Sequence, residues 1–191
     1  MRLILFLALP LCLFSCKGKP AKSSINPTKD TAQFFQVSQY IQQQIDEVNK
    51  TPFYIYKRTI KNGKMDSVAI NNQQFTMLAK SFMQPDISSP GLKKEYVETV
   101  FFDQTTKTYT LNYSTKNKTL EIQNIDVLLN EDAQTMKHIF IRKFINYHND
   151  STAIEQLSWK PDEQFQVSRM VQKPNQGETS SQTIVVWNDK N

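Results

Sequence analysis

From Lys94 to the end of the chain, short alternating stretches recur at near-regular spacing, each closed by a polar turn. That pattern leaves few ways to fold. Glu98, Val100 and Phe102 hold one phase with Tyr96, and the chain then returns with Tyr109, Leu111 and Tyr113 set against Thr108, Thr110 and Asn112. A period of two places successive side chains on opposite faces of a sheet. Leu120 and Ile122 keep one phase while Ile125, Val127 and Leu129 keep the other, so a bulge near Asn124 is expected. Residues 136–147 are apolar on both sides, as an interior strand would be; a buried helix is the alternative there. Ala153, Glu155, Leu157 and Trp159 then share a face, followed by Phe165, Val167, Arg169 and Val171, and by Thr183, Val185 and Trp187. Polar turns between such strands predict an antiparallel meander.

Upstream the period changes. Phe34, Val37, Ile41, Ile45 and Val48 recur at three- and four-residue steps, which predicts a helix over residues 30–49 with an apolar core stripe. Asp30 and Gln33 have the spacing of a capping box, and Pro52 lies beyond the end. Asn62-Gly63 predicts a hairpin, with Ile60 opposite Met65 and Ile55 opposite Ile70. A second helix is expected over residues 71–84, with Phe75, Leu78, Ala79 and Phe82 on one side, Asn71 and Gln74 as its cap and Pro85 as its stop. The expected fold is α+β: about nine antiparallel strands, a curved half-barrel being one form of them, with two helices packed on one face.

The N-terminus carries a different signal. Met1-Arg2 is followed by an uncharged, almost wholly apolar run from Leu3 to Phe14. Twelve helical residues rise only about 18 Å, short of the roughly 30 Å of a bilayer core, but they suit the apolar region of a secretory signal. The run ends in Leu13-Phe14-Ser15-Cys16, which resembles the lipobox of bacterial lipoproteins; Phe14 is bulkier than the commonest residue at its position. The resemblance implies diacylglycerol on the Cys16 sulfur, cleavage before Cys16 and acylation of the new amine. It divides the chain into a signal peptide over residues 1–15, a tether over residues 16–29 and a single domain over residues 30–191. Each buried CH₂ contributes about 0.8 kcal/mol, so two or three chains hold a protein at a membrane without a spanning helix.

The tether is rich in Lys, Ser, Pro and Asn, a composition that cannot build a core. Lys17, Lys19 and Lys22 lie where anionic headgroups would attract them. A solvated linker accounts for them more simply. The wealth of Gln, Asn, Thr and Lys resembles that of Bacteroidota lipoproteins. Lys17 stands where an Asp retains enterobacterial lipoproteins at the inner membrane, and the acidic run that marks surface export in Bacteroidota is missing. Both comparisons imply an outer-membrane lipoprotein facing the periplasm. Cys12 would leave with the signal and Cys16 would carry lipid, so no disulfide is expected.

Chemistry-bearing clusters are sparse. The four glycines, Gly18, Gly63, Gly91 and Gly177, are too far apart to build a phosphate loop. His138 and His148, on one continuous strand, would stand about 33 Å apart, too far to share a metal. Glu131 and Asp132 could add oxygen ligands but read as a solvated loop. His148, Asp150 and Ser151 contain triad residue types, yet a capped turn explains them, and one tight turn does not set a base between nucleophile and orienter. No catalytic residue, cofactor or metal is assigned, and no enzyme activity is expected. The net charge of +5 is dispersed, and Lys57-Arg58, Lys93-Lys94 and Arg142-Lys143 are isolated doublets, so no nucleic-acid partner is expected.

Aromatic residues are the remaining signal. Phe53, Tyr54, Tyr56, Phe101, Phe102, Tyr109, Tyr113, Phe140, Phe144, Tyr147, Trp159, Phe165 and Trp187 lie mostly in strands. They either fill the space between sheet and helices or line a cleft for an apolar ligand. The order of elements on a lipid anchor is similar to that of the LolA/LolB lipoprotein-carrier half-barrels, a likeness of predicted order that implies lipid carriage only by analogy. The expected role is non-enzymatic binding or structure towards a protein partner, with carriage of lipid or another apolar ligand as the alternative.

Overall fold

The computed structural model describes residues 34–147 and 150–189. Nine strands form one antiparallel sheet: β1 (Tyr56–Lys61), β2 (Lys64–Ala69), β3 (Val97–Asp103), β4 (Thr108–Ser114), β5 (Ile122–Asn130), β6 (Met136–Asn146), β7 (Thr152–Lys160), β8 (Gln164–Lys173) and β9 (Gly177–Val186). Their order is β2-β1-β9-β8-β7-β6-β5-β4-β3, so the sheet stays open and β2 and β3 are its edges. The helices are α1 (Val37–Lys50), α2 (Asn72–Ala79) and α3 (Pro90–Lys93), with a 3-10 turn at Lys80–Phe82. The expected α+β meander is therefore present, and residues 136–147 are strand for all but their last position.

Alternation decides the two faces. Leu111, Val127, Ile139, Trp159, Phe165 and Val185 stand in one cross-strand row. Tyr113, Ile125, Ile141, Leu157 and Val167 stand in the next. These side chains meet Val37, Ile41, Ile45 and Val48 of α1 and Phe75 and Ala79 of α2 in one core. At the centre, Trp159 stacks on Phe165 at 5.2 Å, and the edges of Phe75 and Phe82 point at its ring. Among the described residues the opposite face carries no helix, and it is polar at most positions, because these strands put Thr, Asn, Gln and Ser in the other phase.

Turn chemistry fixes the hairpin. Asn62 and Gly63 have φ of 51° and 73°, as a two-residue turn with positive φ requires, and Ile60 pairs with Met65. The amide of Ile70 donates to the carbonyl of Ile55 at 3.0 Å beyond the ladder. The capping box at α2 forms as the sequence predicts: the Asn71 side chain accepts from the Gln74 amide, and Gln74 accepts from the Asn71 amide. The predicted bulge also appears, as a register shift between Ile122 and Asn124 that leaves Gln123 extra.

Three details differ from expectation. The first helix begins at Val37, and its N-cap Gln36 makes no side-chain cap; Asp30 and Gln33 lie outside the described residues. Phe34 precedes the helix yet is buried, because its ring packs 4.7 Å from Tyr113. The second helix ends at Ala79 and tightens into the 3-10 turn, which carries Phe82 into the aromatic cluster. The loop expected at residues 86–93 holds the one-turn α3, started by Pro90 at a position where its missing N–H has no helical partner to lose.

One polar row crosses the helix-covered face. Lys143 pairs with Glu155, and Glu155 with Arg169, across β6, β7 and β8. The Lys143 ammonium is buried, donates to the Gln84 carbonyl and meets Glu121 at 2.9 Å. Glu155 is buried too, held by the Arg169 guanidinium. Opposite charges alternate along the row, so each buried charge has a partner, as burial demands.

Candidate binding face

Strand pairing brings together polar residues far apart in sequence on the bare face. Asn112, Asp126, Phe140, Ser158 and Gln166 stand side by side on β4 to β8. Asn124, Arg142, Gln156 and Ser168 form the neighbouring row. A depression of about 610 Å³ lies between these rows, bordered also by Lys118 and Gln123.

The floor at β4 and β5 is a fixed amide–carboxylate array. The Asn112 amide donates to Asn124 Oδ1 at 2.8 Å and to Asp126 Oδ1 at 2.6 Å, and the Asn124 amide donates to Asp126 Oδ2 at 2.8 Å. These bonds use both N–H groups of Asn112 and one of Asn124, which leaves one Asn124 N–H and further carboxylate lone pairs of Asp126 in the lining of the depression. Gln166 donates to Ser168 at 3.1 Å. Arg142 and Gln156 are exposed beside this array.

On β6, directly across from Asp126, stands a flat wall. Phe140 and His138 stack 4.2 Å apart with only 3° between their planes. His138 Nε2 lies 2.6 Å from Ser158 Oγ, which fixes the imidazole. Phe140 remains 40% exposed, and the depression borders Phe140 but not His138, so the phenyl ring is the accessible part of the stack.

Burial holds the His138 imidazole below its ordinary pKa; the nearby Lys160 ammonium acts in the same direction, and Glu163 opposes both. The unfolded chain therefore takes up this proton at a higher pH than the folded chain does. From this residue, stability is complete above about pH 6.5 and falls as the pH drops through the folded value. Urea unfolding of wild type and His138→Gln at about pH 7.5 and about pH 5 checks the sign. The wild type is expected to lose more stability on acidification than the variant; equal losses would contradict it.

Two tyrosines tie loops to the opposite, helix-covered side. Tyr113 accepts from the Phe35 amide at 2.9 Å and donates to Glu98 at 2.7 Å, and burial drives its phenol pKa upward. Tyr96 donates to the Ile122 carbonyl at the bulge at 2.8 Å, and burial raises its pKa to about 12. Both stay protonated donors at physiological pH.

The residues singled out by sequence do not converge. His138 stands on β6, while His148 lies outside the described residues. Asp150 has positive φ and is exposed, whereas Ser151 is buried. Glu131 pairs loosely with Lys107 at 3.5 Å, both largely exposed, and Asp132 accepts from the amides of Gln134 and Thr135 in the same turn. Among the described residues, no group of three or more His, Cys, Asp or Glu side chains is placed to hold a metal ion, and no helix is long and apolar enough to cross a membrane. Cys16 lies outside the described residues. Sequence reasoning missed the bare-face cluster because its members are scattered over the polar phase of five strands; strict alternation marks that phase but does not say which residues become neighbours.

The two sheet edges differ. On β2 every residue is exposed and Lys64 and Asp66 add charge, a feature that discourages strand addition. On β3, Val97, Val100 and Phe101 are 61%, 54% and 55% exposed. Fold and surfaces define an open, helix-backed antiparallel sheet with one bare polar face and one apolar edge. No family model, curated protein or solved structure matches the chain.

Proposed function

We propose that this protein is a non-enzymatic lipoprotein of the outer membrane, anchored through lipid on Cys16 and facing the periplasm, whose sheet domain binds a protein partner. The lipobox resemblance supports the anchor and the compartment. The apolar β3 edge carries the partner reading: a seven-residue strand that, among the described residues, pairs on one side only, with β4, and carries three exposed apolar side chains. An extended strand of another protein can add there, with backbone hydrogen bonds giving affinity and side-chain contacts giving choice. The helix-covered face offers less to a carried lipid, because its aromatic residues are packed against one another and against α1 and α2.

The test is a photoreactive phenylalanine analogue at position 101, compared with one at Met77, which is 64% exposed on α2. The expected result in intact cells is one discrete heavier product from position 101 and none from position 77. Equal labelling from both positions, or none from 101, would overturn the reading. A product of twice the chain's mass would assign the edge to a second copy instead of a separate partner.

A further inference from the structure

We propose that the depression on the bare face binds a neutral glycan, with Phe140 as the stacking surface and Asn124, Asp126, Arg142 and Gln156 as the hydroxyl-binding groups. This stands independently of the β3 edge, which lies outside the depression.

The ligand class follows from the composition of the floor. An apolar ligand would strip water from a carboxylate, a guanidinium and several amides without replacing their hydrogen bonds, which is unfavourable. A polyanion such as nucleic acid needs clustered positive charge, whereas Lys118 and Arg142 here share the lining with the Asp126 carboxylate. A peptide strand pairs with sheet edges rather than with a face whose backbone groups are already bonded. A sugar hydroxyl both donates and accepts, so it can satisfy a mixed floor of this kind.

The geometry supports the same class. The three hydrogen bonds among Asn112, Asn124 and Asp126 orient these planar groups in advance, which lowers the ordering cost of binding. His138 holds Phe140 flat by stacking, and the C–H-rich face of a pyranose ring packs on such a surface. Neighbouring strands lie about 4.8 Å apart, close to the advance of one sugar ring along an extended glycan. Successive rings could therefore meet successive strands between β5 and β8.

The experiment uses the full-length chain in detergent, with cellohexaose, maltohexaose, isomaltohexaose and chitohexaose as probes and an oligothymidylate as the anionic comparison. The readout is the NMR signal of the Asn124 and Gln156 side-chain amides and of Arg142 Nε. At least one saccharide is expected to shift these signals with a Kd below about 1 mM. Phe140→Ala should weaken that binding about tenfold or more, and Phe140→Tyr should stay within about threefold of wild type, because it keeps the ring. Arg142→Gln should weaken it while leaving the backbone spectrum unchanged. Absence of shifts with all four saccharides up to about 10 mM, binding indifferent to Phe140→Ala, or preference for the oligothymidylate would each overturn the proposal.

Discussion

Trp159→Ala is expected to destabilise the protein by about 3–5 kcal/mol, lowering Tm by roughly 6–20 °C for a chain of this size. The indole is fully buried and has four aromatic neighbours: Phe75, Phe82, Phe165 and Trp187. Those neighbours come from α2, the 3-10 turn, β8 and the segment after β9, so the cavity would open where the helices meet the sheet. Surrounding rings are too stiff to collapse into it fully, which places the cost toward the upper part of the range. A second variant sharpens the test. The indole Nε1 has no hydrogen-bond partner among the described residues, so Trp159→Phe removes an orphaned donor along with some volume, and the two effects oppose each other. That variant should cost no more than about 2 kcal/mol. Phe140→Ala, on the bare face, should cost less than about 1 kcal/mol, because the ring is already partly hydrated. Denaturant midpoints for the three variants check the order. Equal losses from Trp159→Ala and Phe140→Ala would mean that the faces of the sheet are assigned the wrong way round.

The contrast between Trp159 and Phe140 also shows what the sequence made legible. Trp159 shares a phase with Ala153, Glu155 and Leu157, and all four are buried. Alternation was sufficient there because helices cover only one side. The bulge near Asn124 was readable for the same reason, since skipping Gln123 keeps Ile122 and Ile125 facing the core. A second shift, between Leu128 and Leu129, leaves Lys137 extra on β6 and turns Met136 toward the core; it was not readable because residues 136–147 carry apolar side chains in both phases.

Tertiary pairing was the harder part. The hairpin β1–β2 attaches to β9 rather than standing beside its sequence neighbours. Thr59 meets Thr183 and Lys61 meets Ser181 on the helix side of that junction. Polar pairs of this kind carry no hydrophobic pattern to announce a partner, so only the register of the folded sheet reveals it. Lys143 was hidden in a similar way. Its neighbours Ile141 and Ile145 suggested an apolar strand, while the groups that accept its charge, Glu121 and the Gln84 carbonyl, come from outside that strand. The candidate binding face has the same origin, because Asn112 and Gln156 are far apart in sequence and come onto one face, three strands apart, only through β5 and β6.

The largest effect of all is expected at the other end of the chain. If Cys16 carries two or three acyl chains, removing its sulfur removes that anchor, since each buried CH₂ contributes about 0.8 kcal/mol and no helix among the described residues is long and apolar enough to replace them. The domain itself should be untouched, because the residues described in its core run from Phe34 to Trp187, well beyond Cys16. The direct measurement is growth of cells producing wild type or Cys16→Ser with radiolabelled palmitate, followed by separation of membrane and soluble fractions. The wild type should carry label, begin at Cys16 after processing and sediment with the outer membrane; Cys16→Ser should carry no label and be released from it. Unlabelled wild-type protein, or a Cys16→Ser variant that remains as firmly in the membrane fraction, would contradict the account.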